Sequence, residues 1–220
     1  MTVAFLILTG VSAVGDWFAV ARRNHRLELV LKPLTLIFLF TAACFGDFGD
    51  AKAWLLAALA LGLVGDVALL FSSDAPPAEG AEAELEPAFL AGLGAFLLGH
   101  IAYLLAFAAH GLHGWQSTAG VLVVAGASGL AMPRVLRGAR NAGGPTLAAI
   151  VAVYAGLLAL MVVFAFGTAV VATAIGGAIF MASDTTLAWN RFVQPLLRGP
   201  LIVIVTYHVA QVLIVVGLLK

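Results

Sequence analysis

Charged residues and cysteine are both scarce in this sequence. Asp, Glu, Lys and Arg make up 10% of the 220 residues, and eleven basic and eleven acidic side chains cancel to a formal net charge of zero. A chain without excess positive charge lacks the electrostatic surface that nucleic acids require, so we expect no nucleic-acid partner. Because Cys44 is the single cysteine and lies in an apolar run, disulfide bonds and cysteine-based metal sites within one chain are excluded.

Two common hydrolase motifs are also absent. The chain contains no G-x-S-x-G segment, which would carry the serine nucleophile of an α/β hydrolase. It contains no H-E-x-x-H segment either, which excludes a zinc protease of that type. The chemistry must therefore come from isolated polar side chains.

Apolar residues dominate instead. They make up 63% of the chain, against about 45–50% in a soluble domain, and the mean hydropathy is +1.10. Eight runs have close to the ~20 residues that cross a hydrocarbon layer, and they lack the alternation of a β-barrel strand. We predict an all-α, polytopic integral membrane bundle of eight transmembrane helices that forms one domain, residues 1–220. The predicted spans are 2–21, 29–46, 51–71, 88–109, 116–133, 146–166, 168–189 and 199–219.

The positions of the basic residues predict an orientation. Nine of the eleven flank the first, fifth and seventh connections, and positive charge accumulates in short cytoplasmic loops. We therefore expect both termini on the non-cytoplasmic side. The first span, 2–21, is predicted to be a retained helix rather than a signal peptide, because Arg22, Arg23 and Arg26 follow it instead of preceding it. The alanine-rich composition suits a bacterial inner membrane.

The third connection, residues 72–87, differs from the rest of the chain. It reads SSDAPPAEGAEAELEP, and its prolines and five acidic residues are typical of a flexible, solvated loop. We expect this acidic loop on the cytoplasmic side and assign it no catalytic role.

A few ionisable side chains lie inside the predicted spans, where each costs ~2.5–3.5 kcal/mol and so needs a partner, a wet cavity or a function. Asp16, Asp66 and Asp184 each lie about five residues from the cytoplasmic end of a span. Lys32 enters from the same side and could partly neutralise them. We predict a polar pocket there. For Asp16 the alternative is a structural pair with Arg22 near the helix end.

A second group of polar side chains lies nearer the middle of the fourth and eighth spans. His100 and Tyr103 are three residues apart, and Tyr207 and Gln211 are four apart, so each pair shares one helix face. His208 points about 100° away from Tyr207 and is predicted to be an interhelical hydrogen-bond partner rather than a site residue. For the others, packing or interhelical hydrogen bonding is the alternative to a place in the pocket.

Two carboxyl groups close together in an apolar environment cannot both ionise cheaply, so we expect one to be protonated and the other charged. That arrangement provides an acid and a base for hydrolysis at an acetal-like or enol-ether carbon. Three alternatives remain open. They are a proton-coupled lipid or solute transporter, a metal-dependent amide hydrolase resembling the alkaline ceramidases, and carboxylates that only pair with Lys32 to fix the packing.

At the same residues the sequence resembles the YhhN family, whose animal members are the TMEM86 lysoplasmalogenases. The segments that carry the resemblance are LKPL at 31–34, LGLVGDVALLF at 61–71, FLAGLGAFLLGHIAYLLAF at 89–107, GGAIFMASDTTLAWNRF at 176–192 and TYHVAQVLI at 206–214. The resemblance implies a membrane enzyme that hydrolyses the vinyl ether bond of lysoplasmalogens, with a lysophospholipid as substrate. It implies no metal or other cofactor.

The resemblance also implies site residues. The paired acids of the family correspond to Asp66 and Asp184, and its other polar positions correspond to Lys32, His100, Tyr103, Tyr207 and Gln211. We expect the two aspartates to be catalytic and His100 to tune or relay the proton. We expect Lys32 and Arg191 to hold the phosphate, and the remaining three side chains to contact the substrate.

Overall fold

The computed structural model describes residues 1–72 and 86–220, and within these ranges the chain forms helices and no strands. Residues 73–85 of the predicted acidic loop lie outside the described residues. The helices are α1 (Thr2–Ala21), α2 (His25–Phe45), a short 3-10 helix (Gly49–Ala51), α3 (Lys52–Leu69), α4 (Pro87–His110), α5 (Gly114–Gly167), α6 (Val171–Phe192) and α7 (Gly199–Leu218). The predicted all-α class is confirmed.

The surface of the bundle is apolar, as expected for a membrane protein. In the described ranges, all seven α-helices are long and apolar enough to span a bilayer. On α1, the side chains of Val3, Ile7, Val11, Val14 and Phe18 are each more than half exposed and lie on the outside of the bundle. An apolar stripe of this length is unfavourable in water and suits lipid. The chain is an integral membrane protein.

Residues 1–72 and 86–220 contain seven α-helices rather than the predicted eight. The predicted spans 116–133 and 146–166 are joined in one element, α5, whose two helical arms meet at a kink at Gly143 and Gly144 without an intervening loop. The reason is that residues 134–142 are mostly good helix formers, so backbone hydrogen bonding continues through them.

α5 nevertheless reverses direction. A straight helix of 54 residues would be about 80 Å long, far more than the ~30 Å hydrocarbon layer. The helix bends at Gly143 and Gly144, and Gly144 has φ 69° and ψ −168°, a backbone conformation open essentially to glycine alone. The two arms, 114–142 and 145–167, come back together at their far ends, where the backbone N–H of His113 donates to the carbonyl of Gly167 at 2.7 Å.

The helices pack mainly as sequential pairs, with α1 along α2, α3 along α4 and α6 along α7. α4 is central, since half of its span is buried, against 28% for α1. α1, α3 and α6 end, and α2, α4 and α7 begin, at one end of the bundle. That end therefore brings together the polar residues that the sequence places near these helix termini.

A close contact between α5 and α6 gives a test of the fold. A Cβ added at Gly138 would lie 1.8 Å from the carbonyl oxygen of Phe192, whereas a Cβ at Gly126 on the same arm would meet nothing within 4 Å. We expect Gly138→Ala to lower the free energy of unfolding by about 1–3 kcal/mol, because the helices must separate. Thermal unfolding in detergent measures it. Gly126→Ala is the control, and equal melting temperatures for the two variants would contradict the packing.

Candidate functional site

A cavity of about 450 Å³, hereafter the polar cavity, lies at the end of the bundle where α1, α3 and α6 end. Both Asp66 on α3 and Asp184 on α6 line it, together with Lys32 on α2. Its polar lining residues are His25, Glu28, Lys32, Asp66, Ser72, Ser183, Asp184, Asn190, Arg191 and Tyr207.

Asp66 has a cationic partner. The Nζ atom of Lys32 lies 3.4 Å from Oδ1 of Asp66, and the two side chains are only 12% and 2% exposed. Tyr207 lies beside Asp66 on the other side. Gly62, one helical turn before Asp66, permits this approach, because a Cβ there would lie 3.1 Å from the Tyr207 hydroxyl. The ammonium group favours an ionised Asp66.

Asp184 has different neighbours. The Tyr154 hydroxyl donates a hydrogen bond of 2.5 Å to Oδ2 of Asp184, and Nε2 of His100 lies 3.7 Å from the same oxygen. The rings of His100 and Tyr154 meet edge to face, with centroids 5.1 Å apart. His100 is fully buried against Phe180 on its other side. The neighbours of Asp184 are thus a neutral hydroxyl and a buried imidazole, whereas the neighbour of Asp66 is an ammonium group.

Tyr103 and Gln211 lie behind the polar cavity rather than in its wall. The Tyr103 hydroxyl donates to Oε1 of Gln211, and both side chains are only 1% exposed. Gln211 also lies near Tyr207, since a Cβ at Gly62 would contact both side chains. Tyr207 therefore connects the cavity wall to this deeper pair.

Arg191 lines the polar cavity from the last turn of α6. Its guanidinium group lies 3.5 Å from the carboxylate of Glu86 and 4.7 Å above the ring of Phe89. The sequence-based interpretation placed Arg191 in a connecting loop, but α6 continues to Phe192 and fixes it on the helix.

Asp16 and His208 lie outside the polar cavity wall. Asp16 is completely buried. Its carboxylate therefore does not reach the membrane interface, where it would have to lie to pair with Arg22. On His208, Nδ1 accepts a hydrogen bond of 3.2 Å from Nε1 of Trp17, which ties α7 to α1. His208 thus forms the interhelical hydrogen bond that was predicted for it.

Sequence reasoning missed Tyr154. It stands alone in the apolar run 146–166, and nothing in the local pattern distinguishes it from a packing aromatic. The available signal was its hydroxyl, because a buried tyrosine hydroxyl in a membrane span needs a partner. In residues 1–72 and 86–220, no three side chains of His, Cys, Asp or Glu come together as a metal site would require.

The chain is similar to proteins of known activity. The model of the YhhN family matches residues 27–218. Lysoplasmalogenase TMEM86B of Sus scrofa is 34% identical over 187 residues, which cover 84% of this chain and 70% of the pig protein. Lysoplasmalogenase TMEM86B of Homo sapiens is 34% identical over 134 residues, 60% of this chain and little more than half (55%) of the human protein. No solved structure is significantly similar to the chain.

The pair between Lys32 and Asp66 can be tested through stability. We expect Lys32→Met to destabilise the fold by about 3–5 kcal/mol, because Asp66 is left as a buried charge without its cation or must take up a proton. The double variant Lys32→Met/Asp66→Asn should recover much of this loss. Thermal unfolding in detergent measures both, with Arg26→Met, which removes an exposed cation of the same helix, as control. Additive losses in the double variant would show that the two groups are not coupled.

Proposed function

The chain belongs to the YhhN family, and from this premise we propose that it is a lysoplasmalogenase of the membrane. It hydrolyses the vinyl ether bond of a lysoplasmalogen and releases a fatty aldehyde and glycerophosphocholine or glycerophosphoethanolamine. The relatives named as lysoplasmalogenases support this activity. The observation that carries the proposal is that two buried carboxyl groups in unlike environments share one cavity.

The first step of the reaction needs an acid, because a vinyl ether accepts water only after its β-carbon has been protonated. We assign this role to Asp184, which lies beside the neutral hydroxyl of Tyr154 and away from Lys32. The π electrons of the double bond form a new C–H bond with the proton of the Asp184 carboxyl group. The products of this step are an oxocarbenium ion and an ionised Asp184.

The second step needs a negative charge and a base. Asp66, held ionised by Lys32, stabilises the cation and accepts a proton as water attacks the oxocarbenium carbon. The hemiacetal then collapses: its hydroxyl proton returns to Asp184, the C–O bond to glycerol breaks, and Asp66 gives its proton to the departing oxygen. Both carboxyl groups regain their starting states, and one water is consumed.

The other polar residues bind the substrate or position the groups that react with it. Lys32 and Arg191, which both line the polar cavity, hold the phosphate group of the substrate. Tyr207 contacts the substrate from the cavity wall, while Tyr103 and Gln211 fix its orientation from behind. His100, packed on Tyr154, tunes the proton held by Asp184.

The orientation is part of the same proposal. We place the end of the bundle with the polar cavity on the cytoplasmic side of a bacterial inner membrane and both termini on the other side. The basic residues at that end support this, because Arg22 and Arg23 stand between α1 and α2 and Arg26 lies in the first turn of α2.

The two aspartates provide the main test. We expect Asp66→Asn and Asp184→Asn each to reduce kcat for aldehyde release by at least about 100-fold, since each removes a group that carries a proton or charge in the reaction. The assay is aldehyde release from a lysoplasmalogen by detergent-solubilised protein. Asp16→Asn is the matched control, because Asp16 is equally buried but lies outside the cavity wall.

Folded aspartate variants that keep full activity would remove the proposed mechanism. Aldehyde release by the purified wild-type protein also excludes a transport-only role. Loss of that activity in a strong chelator, restored by a divalent metal, would favour the ceramidase-like alternative instead.

Tyr154 provides a finer test. We expect Tyr154→Phe to lower kcat about 10- to 100-fold while KM changes less than about twofold, because the lost hydroxyl orients the reacting carboxyl group rather than the bound lipid. Steady-state kinetics of aldehyde release separates the two constants. Thr173→Val, which removes another buried hydroxyl from the bundle, is the control. A change confined to KM would assign Tyr154 to binding.

A further inference from the structure

A second, narrower space lies beside the polar cavity. This apolar cleft, of about 60 Å³, runs between α4, both arms of α5 and α6. Its wall is formed largely by hydrocarbon side chains, among them Leu93, Met132, Val135, Val151 and Leu158. Such a lining fits an aliphatic chain and offers little to a charged or hydrogen-bonding ligand.

The cleft and the polar cavity share one wall. The residues common to both are Leu69, Phe89, Phe96, Asp184, Leu187 and Arg191. Asp184 therefore lies at the junction of a polar and an apolar space. Lys32 and Asp66 line the polar cavity alone.

A lysoplasmalogen likewise combines a polar part and an apolar part in one molecule. Its glycerophosphate head is charged, its single chain is apolar, and the vinyl ether bond joins the two. With the phosphate between Lys32 and Arg191 and the chain in the cleft, the vinyl ether carbons lie beside Asp184, where the proposed reaction needs them.

Resting on the proposed function, we propose that the apolar cleft between α4, α5 and α6 binds the first few carbons of the substrate's single unbranched alkenyl chain, because a space of about 60 Å³ holds only a few methylene groups. The cleft selects by shape rather than by hydrophobic transfer. A chain that leaves the bilayer for an apolar cleft exchanges one hydrocarbon environment for another, so little of the ~0.8 kcal/mol per CH₂ gained on leaving water is available. Steric fit therefore sets which chains bind.

Ala155 offers a way to block the cleft. It lines the cleft on the second arm of α5, between Val151 and Leu158. Ala152, three residues earlier on the same arm, is exposed on the outside of the bundle and does not line the cleft. Ala155→Phe fills the cleft, and Ala152→Phe adds the same ring to the lipid-facing side.

The experiment compares ethenyl and hexadecenyl lysoplasmalogens as substrates, since the ethenyl group ends at the two reacting carbons and places no chain in the cleft. We expect Ala155→Phe to raise KM for the hexadecenyl substrate about tenfold or more and to change KM for the ethenyl substrate less than about twofold. Ala152→Phe should leave both unchanged. Ala155→Leu, a smaller obstruction, should give the same ordering with a smaller effect if the phenylalanine variant does not fold. Equal effects on both chain lengths, or none on either, would overturn the assignment.

A binding measurement keeps this test independent of catalysis. The saturated hexadecyl ether analogue has no vinyl ether bond, so its affinity for reconstituted protein reports chain binding alone. We expect Ala155→Phe to weaken its binding about tenfold relative to wild type and Ala152→Phe. If wild-type protein binds this analogue through the cleft but releases no aldehyde from either substrate, the proposed function fails and the chain site stands. If Ala155→Phe leaves analogue binding unchanged while the wild type releases aldehyde, the function stands and the chain site fails.

Discussion

The ion pair between Lys32 and Asp66 is the interaction on which the rest of the site depends. A carboxylate that is 2% exposed in a membrane-spanning bundle is costly unless a cation compensates it, and here the ammonium lies 3.4 Å away. With Asp66 neutralised in this way, the second carboxyl group, Asp184, can be buried in the same cavity without a cation of its own. One carboxyl group has a charge partner and the other a hydroxyl, so two chemically alike groups lie in different environments, and the proposed mechanism rests on that difference.

Asp184 lies at the boundary between the polar cavity and the apolar cleft. A hydrolase acting on an amphiphile must place its reactive group where the polar and apolar parts of the substrate join. Asp184 meets that requirement because it lines both the polar cavity and the apolar cleft. A carboxyl group deeper in either space would face the head or the chain instead of the bond between them.

Much of this arrangement follows from the sequence, and some does not. Ionisable residues inside apolar runs are costly wherever they occur, so Asp66, Asp184 and Lys32 could be recognised, and their distances from the helix ends predicted a shared cavity. The continuity of α5 was not predictable from hydropathy, because the residues between its two apolar runs are polar but still helix-forming.

Tyr154 was not predicted for a related reason. Hydropathy does not distinguish it from other aromatic residues, and only the tertiary contact between α5 and α6 reveals the partner of its hydroxyl. By helix face, Tyr103 was paired with His100 and Gln211 with Tyr207, but a helix face alone does not distinguish the wall of a cavity from the layer behind it.

The two adjoining spaces also bear on how the proposed products leave. Under the proposed function, cleavage of the vinyl ether separates the molecule at the junction of the two spaces, so the glycerophosphate product is left in the polar cavity and the reacting end of the aldehyde in the cleft. The charged product has no chain left to hold it and is drawn towards water at the end of the bundle, where the helix termini line the cavity. The hydrocarbon chain of the aldehyde contacts the apolar side chains that form most of the cleft wall, whereas the polar residues of that wall are Tyr154, Asp184, Thr185 and Arg191. In this proposal, the polar cavity and the apolar cleft position the vinyl ether bond between them. The same separation lets each product leave from the space that suits its polarity.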